Sequence, residues 1–373
     1  MLKFLRRLTI RVLAAALVMT LLVSAITMLG RIMPRPRLLS YVRMGDGIYL
    51  LDVNHNLSAY LIRDPQVDMQ LVWSPDGSDI AFVTRRHSNG DVYRVAIHNP
   101  SDIQRLTRNS AEDTNPTWSP DGKWVAFVSS RDNGQEVYMT EVSSGRLRNL
   151  TQNRTADFRP AWSPGGGQIA FVSRRVDNYE IFLLDSPCLQ EPITCTANPR
   201  MIYNLSRSPR TDETPVWSPD GKWLAFVSQR HDNNDVYVID ANCIHADKGC
   251  LGAAINMTRH GGGDSSPVWS PDGDWLLFAS GRNRDTEIYA VKTRCLLTGE
   301  RCDFQAHNIT RDSASDYNPA WSADGALIAF ISGRNGYNDI YVMDGACVWG
   351  QADCPAPRRL TIDGGVAYPV WQP

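Results

Sequence analysis

The sequence predicts an all-β fold, a seven-bladed β-propeller closed on itself and preceded by one membrane-spanning segment. Three observations predict it. The phrase Trp-Ser-Pro-Asp-Gly stands at Trp73–Gly77, Trp118–Gly122, Trp217–Gly221 and Trp269–Gly273, with variants at Trp162–Gly166 and Trp321–Gly325 and a last tryptophan, Trp371. Successive repeat tryptophans lie 45, 44, 55, 52, 52 and 50 residues apart, the period of a repeat architecture. Within each interval, short apolar runs alternate with turn residues, and no helical period is sustained.

One unit shows how the elements follow. Asn115–Trp118 reads as a short first strand, and Ser119-Pro-Asp-Gly122 as a tight turn. Proline presets one φ, aspartate can bond its own backbone, and glycine accepts positive φ. Val125–Ser129 is a second strand, Arg131–Gln135 a polar loop and Glu136–Met139 a third strand. Ser143–Gly145 turns the chain into a fourth strand over Leu147–Thr151. The same register places Leu-Thr-like pairs such as Leu106-Thr107 and Leu360-Thr361 on fourth strands. Trp124, Trp223 and Trp275, six residues after a repeat tryptophan, are expected opposite it across the hairpin.

Six units start at Trp73, Trp118, Trp162, Trp217, Trp269 and Trp321. Residues 38–62 read as strands two to four of a further unit, and Tyr368–Trp371 as a lone first strand. Pairing them closes a seventh blade and leaves no open edge, which favours seven blades over six.

These residues resemble the TolB-like, WD-repeat-like propeller family, whose repeats carry the Trp-Ser-Pro-Asp-Gly phrase and a trailing Leu-Thr. The resemblance covers residues ~40–373 and is specific for the fold. It says little of function, since the family spans periplasmic scaffold proteins and the propellers of serine peptidases. The chain departs from TolB itself, which carries an α/β domain before a six-bladed propeller. It departs from the peptidases in that no hydrolase domain is expected after the closing strand.

The expected organisation is a basic cytoplasmic tail (1–11), a membrane anchor (12–30), a linker (31–37) and the propeller (38–373). Residues 12–30 are uncharged and mostly apolar, a run of 19, long enough to span a bilayer. Lys3, Arg6, Arg7 and Arg11 precede it and favour a cytoplasmic N-terminus. The rival is a cleaved signal peptide with Val23-Ser-Ala25 at its cleavage site. Either way the propeller is exported. Residues 1–37 hold seven basic side chains and no acids, which leaves 31 basic against 40 acidic residues in the remainder, a net of −9. An acidic exported body argues against nucleic acid as a partner.

Eight cysteines fall in four pairs, each with six residues between: Cys188 with Cys195, Cys243 with Cys250, Cys295 with Cys302 and Cys347 with Cys354. All lie between a third and a fourth strand. The repeated local spacing points to four hairpin disulfides, and scattered histidines argue against zinc. Asn-x-Ser/Thr triplets begin at Asn56, Asn149, Asn153, Asn204, Asn256 and Asn308, and four of them are simply the fourth-strand pattern.

Strand alternation sorts the loops. First-to-second and third-to-fourth turns share one face, expected toward the membrane because the linker is at most ~25 Å long when extended. On the opposite face three residue sets repeat. Asp68, Asp113, Asp157, Asp212, Asp264 and Asp316 precede the tryptophans by five, and Arg86, Arg131, Arg175, Arg230, Arg282 and Arg334 follow by thirteen. Asp91, Glu136, Glu180, Asp235, Glu287 and Asp339 follow by eighteen. They form either a girdle of salt bridges locking the blades or a carboxylate-lined channel mouth that attracts a cation or basic peptide. In the closing blade Val366 takes the aspartate's place.

The cysteine loops carry Leu189, Ile193, Ile244, Leu296, Leu297 and Val348-Trp349. These contact a partner or lipid, or else cover the blade edge. No hydrolase, zinc-protease or phosphate-loop motif is present, and no catalytic residue, metal or cofactor is expected. The sequence reads as a non-catalytic, membrane-anchored binding or scaffold protein with an envelope protein or peptide as partner. The alternative is a lyase or hydrolase acting on sugar or peptide at the acidic mouth.

Overall fold

The computed structural model describes residues 37–373 apart from 133, 186–201, 246–248, 299–301, 350–353 and 363. The apolar run 12–30 therefore lies outside the described residues. So do Cys188 and Cys195, together with Leu189 and Ile193 between them. Among the described residues no helix is long and apolar enough to cross a membrane.

The described strands form seven antiparallel sheets of four strands each. Closure is made at the seventh, where the last strand, Val366–Trp371, pairs with β1 (Leu38–Arg43), followed by β2 (Gly47–Asp52) and β3 (Leu57–Arg63). Leu39 faces Trp371 and Arg43 faces Val366 in that ladder. Residues more than three hundred positions apart thus share one sheet, and the ring has no open edge between its first and last blades.

Each second strand is buried on both faces, as a strand sandwiched between neighbouring blades must be. Phe82, Phe127, Phe171, Phe226, Phe278 and Phe330 are fully buried there. Each stacks or tilts on the aromatic of the next strand, with centroids 5.8–6.1 Å apart. The apolar clusters cross from blade to blade: Leu183 and Leu205 of one pack with Trp217 and Phe226 of the next. The core is therefore a ring of interfaces.

The repeated turn works as its chemistry requires. Ser119 Oγ donates to Asp121 Oδ1 at 2.6 Å, and the Trp124 N–H donates back to Ser119 Oγ at 3.0 Å. Gly122 sits at φ 68°. Ser119 and Trp124 thus close the turn, and Val125 is the residue opposite Trp118. The second tryptophans are consequently one step out of register with the expected pairing. Trp124 instead lies under the guanidinium groups of Arg146 and Arg148.

Five of the repeat tryptophans stitch the blades through their indole N–H groups: Trp73, Trp118, Trp217, Trp269 and Trp371. The indole N–H of Trp118 donates to the Val72 carbonyl of the preceding blade at 3.2 Å, and that of Trp371 to Ala320 at 3.0 Å. The Leu-Thr pairs fall just past the fourth strands, which end at Arg105 and Arg359 in the first and last cases. Leu106 and Leu360 still donate to third-strand carbonyls.

Three expected disulfides are formed, Cys243–Cys250, Cys295–Cys302 and Cys347–Cys354. The fourth expected disulfide, joining Cys188 and Cys195, falls outside the described residues, so its pairing rests on the spacing alone. The loops of the other three are not plain hairpins. Each starts with a short helical turn: Ala241–His245, Arg294–Thr298 and Gly345–Trp349. An aspartate ends the strand before two of them and accepts the N–H two residues on, at Asn242 and Ala346.

Candidate channel and channel mouth

The aspartate set opens five of the inner strands: Asp113, Asp157, Asp212, Asp264 and Asp316, all fully buried. Their backbone N–H groups donate across the seam to the previous blade, for example Asp113 to Gly90 at 2.8 Å and Asp264 to Asn234 at 2.7 Å. Their carboxylates receive Arg131, Arg175, Arg230, Arg282 and Arg334 of the same blade at 2.9–3.2 Å. Each of these guanidiniums also lies near aromatic rings of its own blade, as Arg230 does 4.7 Å from the Tyr237 centroid. Arg175 and Arg230 further donate to the carbonyls of Thr151 and Ser206.

The first blade departs from the pattern. Its inner strand, Val67–Trp73, has one more residue between the paired positions, so Val67 sits where the other blades place aspartate. Asp68 is displaced and pairs with Arg85 at 2.9 Å. Arg86 takes Asp64 instead, at 2.6 Å. In the closing blade Val366 does occupy the aspartate position, opposite Arg43.

The second acidic set is buried as well and bonds to the fourth strand. Asn256 Nδ2 donates to Asp235 at 2.8 Å, and Asn149 donates to Glu136. Thr258 Oγ1 takes the Val236 N–H at 3.1 Å. The Asn-x-Thr triplets at these positions are therefore internal hydrogen-bonding units.

Burial raises the pKa of Asp212, Asp264 and Asp316, against the opposing pull of their arginines and hydroxyl donors. It also raises Asp91, Glu180 and Glu287. For Asp64 burial likewise works upward, but hydrogen bonds from Thr84, the Gln66 N–H and Arg86 bring it below the ordinary carboxylate range.

The surface that does face the central space is different. A channel of about 760 Å³ is lined mostly by inner-strand residues, Asp68 among them, with Thr211, Val227, Gln229 and Asn234. Asn115, Arg159, Thr214, Ser266, Asn318 and Tyr368 each stand three before a repeat tryptophan, directly before a proline, at φ 51–58°. The left-handed turn at a residue followed by proline is unusual for a side chain with Cβ, and it makes the bulge seen in each of these ladders. All six residues line the channel, and the residue type changes from blade to blade. Arg159 pairs with Glu213 at 3.4 Å and donates to Thr214. Sequence reasoning missed this ring. The recurring residue-proline pair was the available signal.

Of the loop residues, Val348 is buried, while Ile244 and Leu296 pack partly buried against neighbouring clusters. Trp349 is 54 % exposed, its ring edge-on to Trp275 at 5.1 Å. The side chain of Leu297 lies outside the described residues. Among those residues no three His, Cys, Asp or Glu side chains are grouped to hold a metal ion.

Seven closed blades around a polar channel define a β-propeller built of tryptophan-turn repeats. The family model described as the TolB beta propeller domain matches residues 24–198 and 193–295, and the chain belongs to that family. It is 26% identical over 155 residues to the protein TolB homolog of Chlorobium luteolum, a match covering 42% of this chain and 31% of that protein. An uncharacterized protein of Agrobacterium fabrum is 29% identical over 116 residues, 31% of this chain and 34% of its own. The matches thus span about a third of the length of these relatives. Among solved structures, TolB from Acinetobacter baumannii superposes with TM-score 0.54 at 16% identity, over 91% of this chain and 83% of its own. Oligogalacturonate lyase from Vibrio parahaemolyticus gives 0.58 at 12% identity, with 88% of each chain covered. A puromycin-hydrolyzing peptidase of Mycobacterium tuberculosis gives 0.62 at 12%, covering 87% of this chain and 51% of its own. At such identities the likeness carries the fold alone.

Proposed function

We propose that the chain is a non-catalytic binding or scaffold propeller of the cell envelope, held at a membrane by residues 12–30 and exposing the propeller on the extracytoplasmic side. One observation carries this reading: the repeated carboxylates are already occupied. Five aspartates of the channel-mouth set are buried in ion pairs that join strand to loop, and the second acidic set is bound to fourth-strand amides, hydroxyls and guanidiniums. An acid held in this way supports a rigid frame, and the groups that vary among blades are the ones open to a ligand. The varied channel residues and the loops on the other face are the surfaces offered to an envelope protein or peptide. The test is crosslinking of the native membrane fraction followed by mass spectrometry. Recovery of a reproducible protein neighbour supports the reading. Turnover of oligogalacturonate or of peptide amides by the purified chain overturns it.

A further inference from the structure

On the face that carries the tryptophan turns, the seam between the strands Asp264–Trp269 and Asp316–Trp321 opens into a groove of about 500 Å³. Trp275, Trp321 and Trp349 line it, with Val348 and Pro271. Gly345 lets the short helical turn lie this close, because a Cβ there would come within 2.9 Å of the Trp321 ring and 2.2 Å of the Gly325 carbonyl.

Three exposed carboxylates, Asp272, Asp324 and Asp344, also line the groove, and among the described residues no lysine or arginine does. The comparable groove between the Trp73 and Trp118 turns is about 220 Å³ and includes Arg94, which pairs with Asp79 at 2.7 Å. Two further details bear on the larger groove. The indole N–H groups of Trp275 and Trp321 are buried without a hydrogen-bond partner, as is that of Trp162 elsewhere in the ring, whereas those of Trp73, Trp118, Trp217, Trp269 and Trp371 reach carbonyls across their seams. And the Lys292 ammonium already lies 5.8 Å from the Trp349 ring, so this indole faces a cation.

We infer that this groove docks a basic, apolar-anchored peptide segment of a partner protein. An aliphatic or aromatic side chain of the segment packs on Trp349 and Trp275, and flanking lysines or arginines meet Asp272, Asp324 and Asp344. Exposed tryptophan supplies a rigid apolar anchor surface, and the carboxylates fix the sign of the partner. The same charges disfavour an anionic lipid headgroup. The inference rests on the reading of the chain as a binding propeller and places that binding on the tryptophan-turn face.

The test selects a random displayed peptide library on the detergent-solubilised full chain, with the Trp349→Ala chain as counter-target. Peptides that need Trp349 are then titrated against the unaltered chain and an Asp324→Asn/Asp344→Asn chain. The expected result is enrichment of peptides with an apolar residue flanked by Lys or Arg, bound at least ~tenfold more weakly by the double Asp→Asn chain and weakened by salt. Asn keeps an Oδ1 that can accept the Ala326 and Ala346 N–H groups in place of Asp324 and Asp344, so the double variant also serves if Trp349→Ala unfolds. Selection of neutral or acidic peptides, or binding indifferent to both variants, overturns the inference. Trp349-dependent sedimentation with phosphatidylglycerol vesicles, without peptide selection, overturns it in favour of a lipid contact. If the crosslinked neighbours of the native chain persist in both variants, the binding reading stands and this groove does not.

Discussion

Arg86 donates to Asp64 through both Nε and Nη2, at 3.0 and 2.6 Å, and leaves Asp68 to Arg85. Asp64 is buried and also accepts from Thr84 Oγ1 at 2.6 Å and from the Gln66 N–H at 3.0 Å. It comes from the link before the inner strand, so the same ion pair is rebuilt from a different backbone position. Asp64→Asn removes the charge of the buried partner on which Arg86, Thr84 and the Gln66 N–H converge, and a cost of about 1.5–3 kcal/mol is expected. Asp68→Asn removes a partly exposed pair and should cost at most about 1 kcal/mol. Urea unfolding of the two variants checks the order, and equal losses would remove Asp64 from the girdle.

Closure concentrates on the last strand. The Val370 carbonyl accepts both Ser40 Oγ and the Trp73 indole at 3.1 Å, and Trp371 donates to Ala320. Deleting residues 366–373 exposes the edge of β1 and unstitches both neighbouring blades. The expected outcome is a shift to oligomers or aggregates in size-exclusion chromatography, because the edge of β1 is left unpaired while both seams lose their indole hydrogen bonds. Cys347→Ser/Cys354→Ser, by contrast, opens only a short loop. It should lower stability by roughly 2–3 kcal/mol while the chain stays monodisperse.

The pH dependence follows from the buried acids. Asp91, Asp212, Asp264, Asp316, Glu180 and Glu287 all have a folded pKa above the ordinary value, chiefly from burial. The folded chain then holds protons that the unfolded chain has released. Their contribution is full below the unfolded pKa near ~4 and is lost as pH rises through the folded values. Asp64, Asp76 and Asp121 are shifted down, so their contribution is lost only as pH falls below that range. His307, lowered by burial and bonded to the Val348 carbonyl, costs stability as pH falls through the unfolded histidine value. Six raised acids oppose it, and Tm should fall as pH rises from about 4 through their folded values. Asp212→Asn should flatten that slope. A Tm that climbs steadily as pH rises from about 4 contradicts the burial argument.

The features legible in the sequence are those fixed by local chemistry. Ser119, Asp121 and Gly122 build their turn within five residues, and its repetition sets the blade count. The pairing of Tyr368–Trp371 with the strands of residues 38–62 was legible too, because the leftover strands at the two ends complete one another, though the register that sets Leu39 opposite Trp371 was not. Register was harder. One added residue in Val67–Trp73 shifts Asp68 off the girdle, and the Ser119–Trp124 closure shifts Trp124 away from Trp118. The channel ring stayed hidden because Thr214 and Tyr368, each before a proline, would ordinarily be extended. Only the assembled bulge turns their side chains to a common space.

The fourth-strand asparagines give a last, sharp contrast. Asn256 Nδ2 donates to the buried Asp235 at 2.8 Å and to the Tyr237 hydroxyl at 3.0 Å, and its Oδ1 accepts the Thr258 N–H. Asn56, in the same triplet pattern, is exposed on the turn between β2 and β3. Asn256→Asp sets a second carboxylate against Asp235 and removes a donor, so a loss of about 2–3 kcal/mol is expected. Asn256→Ala removes the donor alone and should cost roughly 1–2 kcal/mol. Asn56→Asp should be within about 0.5 kcal/mol of the unaltered chain. Denaturant midpoints rank the three. If Asn256→Asp proved as harmless as Asn56→Asp, the amide would not be holding the acid, and the triplet would have to be read as a surface feature.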